Sequence, residues 1–223
     1  APLPPAEMNW AGAPHPRETG VLYGHAAQES DILQAFNSSR LHHAWMLTGP
    51  KGVGKATLAW RAARFLLATP EDDGGMFAAP APDTLDIPAE NPVSRRMLQL
   101  AEPRNFLLRR GPNDKETALS QVISVDEVRK MKSFFALSAA DGGRRTAIID
   151  SLDEMNTAAA NALLKLLEEP PANVTLFLIA HQPAKLLPTI RSRCRELRLT
   201  PLTPQDLADA LTQAGGDIAP EDR

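Results

Sequence analysis

In "QESDILQAF" the apolar residues Ile32, Leu33 and Phe36 recur at helical spacing, which predicts a helix over roughly residues 26–39. "HAWMLTG" then runs apolar and stops at Gly49, the pattern of a short buried strand. "KATLAWRAARFLLA" returns to helical period, with Leu58, Ala62, Phe65 and Leu66 on one face. Further on, "NFLLRR" reads as a second strand. "SVDEVRKMKSFFAL" reads as a helix capped by Ser124, with Val125, Val128, Met131 and Phe135 inward. "RRTAIID" is a third strand, and "NTAAANALLKLLEE" a helix stopped by Pro170 and Pro171. "VTLFLIA" has the continuous apolar character of a strand covered on both faces, and "CRELRL" supplies a fifth. Strands and helices in alternation predict an α/β fold, a parallel sheet in a three-layer arrangement with helices on both faces.

The segments outside this rhythm set the expected domain limits. Residues 1–19, rich in Pro and Ala, read as a flexible arm, and residues 20–200 as the α/β domain. Residues 70–103, dense in Pro, Ala and acid, read as a surface insertion. Pro201 marks a break, after which "PLTPQDLADALTQAGG" begins a helix of a second unit, spanning 201–223 and truncated.

Composition narrows the function classes. The chain has 223 residues, 43% of them apolar, and a formal charge of −3, which argues against a uniformly basic nucleic-acid binder. One cysteine excludes an internal disulfide and a multi-cysteine zinc site. No apolar run approaches the roughly 20 residues of a membrane span, and a cytoplasmic location is expected.

The candidate chemistry begins in the turn after the first strand. Gly49, Pro50, Lys51, Gly52, Val53, Gly54 and Lys55 match a phosphate-binding loop, whose backbone N–H groups and lysine cradle phosphate oxygens. The next position, normally a hydroxyl that ligates magnesium, is Ala56. Thr57 carries a hydroxyl but is turned about 100° further around the helix. Binding of ATP or ADP is therefore expected to be weak, with magnesium affinity lowered. Asp150 ends the third strand, where a carboxylate holds the metal directly or through water. The residue after it, normally a glutamate that orients the attacking water, is Ser151; Asp153 and Glu154 fall in the following turn. Both departures weigh against hydrolysis at this site.

Three arginines, Arg191, Arg193 and Arg195, crowd "TIRSRCREL". They form either a solvated basic edge or a source of one arginine for another molecule's nucleotide. His42 and His43 are expected to be structural, and Cys194 a buried thiol. Glu168 and Glu169 oppose the dipole at a helix C-terminus; pairing with a neighbour's cation is one explanation, and simple solvation is the expected one.

Taken together, "LHHAWMLTGPKGVGKATLA", "AIIDSLDEMNTAAANALLKLLEEPP" and "LLPTIRSRC" resemble the clamp-loader branch of the AAA+ ATPases, over roughly residues 20–200. The resemblance implies a P-loop domain followed by a helical lid, in a ring-like pentamer that places a sliding clamp on primer-template DNA. Its partners would be motor subunits of gamma and tau type and the clamp-opening delta subunit. Departures at Ala56 and Ser151 fit the rigid, non-hydrolysing stator of that ring, and Arg193 would be its trans arginine finger. No zinc is expected, because residues 70–103, where many relatives carry a four-cysteine module, hold neither Cys nor His. The sensor position after the fourth strand falls at His181 and Gln182. A C-terminal collar holds the family's pentamer, so these residues alone are expected to be monomeric. Two other readings are an active AAA+ motor of gamma/tau type and a P-loop kinase; "LEEPP" and "SRC" have no role in the latter.

Overall fold

The structure is a computed structural model, and it describes residues 14–70, 80–112, 118–137 and 143–215. Five strands, β1 (Ala44–Thr48), β2 (Asn105–Leu108), β3 (Arg145–Ile149), β4 (Val174–Ala180) and β5 (Arg195–Arg198), form one sheet in the order β2-β3-β4-β1-β5. Every pairing is parallel. The register sets Thr48 beside Ala180 on one side and Arg198 on the other, so β1 is an interior strand, flanked by β4 and the edge strand β5, with its C-terminal end open to loops.

Seven helices complete the described residues: α1 (Ala26–Asn37), α2 (Lys55–Ala68), α3 (Pro92–Leu98), α4 (Val125–Leu137), α5 (Thr157–Glu168), α6 (Pro188–Arg191) and α7 (Pro204–Gln213). Side-chain alternation along each strand divides the interior into two cores. Trp45, Leu47, Ile148, Phe177 and Ile179 face α1, α2 and α3. Ala44, Met46, Ala147, Ile149, Leu176 and Leu178 face α4, α5 and α6. Three layers result, as the alternation of elements predicts.

The interval 70–103 is more ordered in its second half than its composition suggests. Asn91 caps α3 by accepting the Val93 N–H at 2.8 Å, and Pro92 stands at the first helical position. Val93 and Met97 join the core beneath α2. Residues 71–79 lie outside the described residues, as do 1–13 of the arm.

The last arm residues are tied to the domain. Arg17 Nε donates to the Leu98 carbonyl at 2.9 Å, and Arg64 of α2 donates to the Arg17 carbonyl at 2.5 Å. Arg61, 6% exposed, binds the Gly20 carbonyl, Glu29 of α1 and Asp86, so one buried guanidinium draws three segments onto α2. Its charge is tolerated because it is paired. Among the described residues no helix is long and apolar enough to cross a membrane.

Candidate functional site at the C-terminal edge of the sheet

The chain leaves β1 at Thr48, turns through the glycine loop and enters α2 at Lys55. Gly49, Gly52 and Gly54 adopt φ of 140°, 85° and 102°, values that side-chain-bearing residues rarely take. A Cβ on Gly49 would overlap the Leu199 carbonyl oxygen, so the loop begins in direct contact with the backbone that follows β5. On the other side His25 Nε2 donates to the Val53 carbonyl at 2.6 Å, and Leu22 lies where a Gly54 side chain would go.

Lys55 is 3% exposed, and its ammonium donates to the carbonyls of Gly49 and Pro50 at 2.7 and 2.5 Å. Burial pulls its pKa down, and the nearby Asp153 and Asp150 carboxylates act in the opposite direction. Asp150 ends β3 with its N–H on the Leu108 carbonyl. Burial pushes its carboxyl up, while Lys55, Arg109 and Lys51 draw it back. The loop lysine and the strand-end acid thus stand within one another's field.

Beyond them a cavity of about 160 Å³ is lined by Arg109, Arg110, Asp150, Ser151, Glu154 and His181 among others. Arg110 and Glu154 pair at 3.2 Å. Ser151 is buried and has no carboxylate to offer an attacking water. Asp153 and Glu154 belong to a 3-10 turn, Leu152–Glu154. Both Asp153 oxygens are occupied, accepting the N–H groups of His181 and Gln182 at 2.6 and 2.8 Å, so this acid ties down the end of β4. Burial and the Lys55 charge lower the His181 pKa, which favours a neutral ring.

A second cavity, about 140 Å³, lies on the far side of the loop between Val21–Tyr23, Gly52–Gly54, Thr57 and α7. Thr57 faces it, and Ala56 packs at the edge of the core. At its rim the Gln213 carboxamide makes a reciprocal pair with the Val21 backbone, accepting its N–H at 2.9 Å and donating to its carbonyl at 3.0 Å. Against a nucleotide, the structure is mixed. Glycine turns, helix N-terminus and Lys55 suit phosphate, and the apolar wall of the second cavity suits a base. Ala56 and Ser151 do not suit hydrolysis.

The third predicted site residue stands elsewhere. Leu199 N–H meets the Thr48 carbonyl at 2.8 Å, so the start of the loop is level with the end of β5. Arg193 precedes the first residue of that strand, and Arg195 to Leu199 alone spans roughly 13 Å. The finger candidate and the phosphate loop therefore occupy opposite ends of the parallel strands. Arg193 Nη2 pairs with Glu168 Oε1 at 2.8 Å, and Nη1 donates to the Thr189 carbonyl at 2.9 Å. Glu168 is thus engaged with a cation of its own chain, a correction to its expected solvation. Arg195 stacks on Trp45, 4.9 Å from the ring centroid. Arg191 is exposed. His42 and His43 stack at 4.4 Å, and His43 Nε2 donates to the Leu167 carbonyl, a structural arrangement. Burial pushes the Cys194 thiol up to about 12, which leaves it inert at neutral pH.

Arg109, Arg110, His25 and the Val21–Gln213 pair were not expected from sequence. The two arginines carry a usable signal, since they follow β2 directly and so must emerge at the same sheet edge as the loop. The other contacts join segments far apart in the chain.

Comparison with known proteins agrees with this architecture. A DNA polymerase III gamma subunit-related protein of Thermotoga maritima superposes with a TM-score of 0.53 at 20% identity, covering 82% of this chain and 48% of that one. The Holliday junction branch migration motor RuvB of the same organism superposes at 0.50 and 17% identity, covering 89% and 53%. Both likenesses bear on the fold, that of the AAA+ P-loop proteins. In sequence the chain is 38% identical over 154 residues to the DNA polymerase III subunit delta' of Pseudomonas aeruginosa, covering 68% of this chain and 41% of the relative. It is 28% identical over 189 residues to the delta' subunit of Bacillus subtilis, covering 85% and 51%. The gamma subunit of Buchnera aphidicola is 26% identical over 180 residues, covering 81% and 44%. The chain spans about half the length of these curated relatives. A family model described as "DNA polymerase III, delta subunit" matches residues 24–203, and the chain belongs to that family.

Proposed function

We propose that this chain acts as a delta-prime-like stator in the clamp loader of the DNA polymerase III holoenzyme. It completes a neighbouring motor subunit's ATP site with Arg193 and hydrolyses no ATP itself. The observation that carries this reading is the separation of Arg193 from its own loop by the length of the sheet. A guanidinium so placed cannot serve the phosphate loop of the same molecule, whereas a neighbouring subunit's nucleotide can meet it. There its planar fork would stabilise charge on the transferring phosphoryl. The partners are motor subunits of gamma/tau type and the clamp-opening delta subunit, with the sliding clamp and primer-template DNA reached through the complex.

At the chain's own loop, ATP or ADP would be held by Lys55 and the backbone of Gly49–Ala56, weakly. Bound there, it would bring a triphosphate or diphosphate and its metal. Lys55 would have to exchange the Gly49 and Pro50 carbonyls for phosphate oxygens, and the metal would find Asp150 but no hydroxyl at position 56. The purified protein is expected to show no magnesium-dependent ATPase above background. Turnover abolished by Lys55→Ala would overturn the stator reading in favour of a gamma/tau-like motor, which the proximity of Lys55 and Asp150 supports as the second reading.

Gln213 is expected to restrain nucleotide entry, since it already uses the Val21 main-chain pair at the rim of the base-sized cavity. Gln213→Ala frees two hydrogen-bonding groups worth about 0.5–1.5 kcal/mol each, about 1–3 kcal/mol together, and should tighten ADP binding about 5- to 150-fold. Titration calorimetry reads this directly, and an unchanged Kd would remove Gln213 from control of the loop.

A further inference from the structure

We infer that Glu168 is a positioning residue for Arg193, holding the guanidinium ordered and open before any partner arrives. The inference rests on the trans-finger reading above. Glu168 is the last residue of α5, where its charge opposes the helix dipole, and the fold answers that charge with Arg193 Nη2 at 2.8 Å. From the other side Nη1 donates to the Thr189 carbonyl at 2.9 Å and approaches Ser192 Oγ at 3.4 Å. The turn that carries Thr189 and Arg193 is rooted by Ile190, which is 2% exposed in the core against α5. Two separate elements, the end of α5 and the α6 turn, therefore grip one side chain.

The grip leaves the group usable. These contacts take three of the five guanidinium N–H donors, and 35% of the Arg193 side-chain surface remains exposed. Of the crowded arginines, Arg193 alone is held in this way: Arg195 lies over Trp45, and no ion pair is recorded for Arg191 among the described residues. A free arginine loses much rotamer freedom when it docks, and one already ordered loses less. An exposed ion pair is also weak enough to yield an N–H to a phosphate oxygen. Glu168 would thus raise the rate of the neighbouring site without touching the nucleotide.

The test uses the full-length protein reconstituted with motor and clamp-opening subunits, clamp and primed DNA. Glu168→Gln keeps the shape and removes the charge. It should lower kcat up to about fivefold, the size of one exposed ion pair, with KM for ATP unchanged. Association of this subunit with the motor in the presence of a slowly hydrolysed ATP analogue should weaken by a similar factor, and Glu168→Asp should restore part of both losses. Glu168→Gln added to Arg193→Ala should cost nothing further. Wild-type behaviour of Glu168→Gln beside an inactive Arg193→Ala would overturn the positioning role and leave the finger standing. A Glu168→Gln loss that persists in the Arg193→Ala background would also overturn it, as the sign of a purely structural effect. An Arg193→Ala loader with full activity would overturn both readings.

Discussion

Arg193→Ala is expected to lower ATP turnover at the neighbouring motor site about 10³-fold while leaving this chain folded. The side chain is partly exposed and its loss opens no cavity in the core, so the thermal midpoint should stay close to wild type. The kinetic effect is large because the charge that develops on a transferring phosphoryl has few counter-charges to meet it. Arg193→Lys should rescue little, since a point charge lacks the planar fork and cannot keep the Thr189 and Glu168 contacts together with a phosphate. A reconstituted loader assayed with clamp and primed DNA, with the other sites silenced in their own P-loops, isolates the affected site. Unchanged turnover there would remove the finger assignment.

Gly49→Ala is expected to be the most damaging single substitution in the loop. The added methyl enters at φ of 140° and strikes the Leu199 carbonyl, a fixed Cβ against backbone, so no rotamer change can relieve it. A strained φ costs about 1–3 kcal/mol and overpacking about 1–3 kcal/mol more. Together they predict a loss of about 2–6 kcal/mol, or roughly 5–20 °C in Tm for a chain of this size. Gly52→Ala is the control: its φ is 85°, but nothing lies within 4 Å of the new methyl, so only the backbone cost of about 1–3 kcal/mol applies. Urea unfolding of the two variants separates collision from strain. Equal losses would mean that the Gly49–Leu199 contact carries no stability.

Much of the fold is legible in the chain because its strands and long helices each carry their own period. β4 reads as a run of six apolar residues with one threonine and is buried throughout, and α2 and α5 bury the faces that their spacing marks. α3 escapes because seven residues between acid- and proline-rich stretches make too few repeats to register. Its cap, Asn91 followed by Pro92, is visible only once the helix is known. α2 illustrates another limit: its polar face is also buried, since Arg61 is neutralised by partners that no local pattern announces. The site divides in the same manner. Gly49–Lys55 and Asp150 follow from spacing and strand-end position. His25 on Val53, Gln213 on Val21 and Glu168 on Arg193 are contacts between distant segments, set by strand order rather than by neighbours in sequence.

Parallel strands give a domain a head and a tail. With the phosphate loop at one and Arg193 at the other, any contact between two such domains that joins guanidinium to loop is a match of unlike ends. Where successive copies point the same way, such a queue either closes on itself or grows into a helix. On the proposed reading, a subunit that gives at its tail and burns nothing at its head is suited to stand where that procession begins.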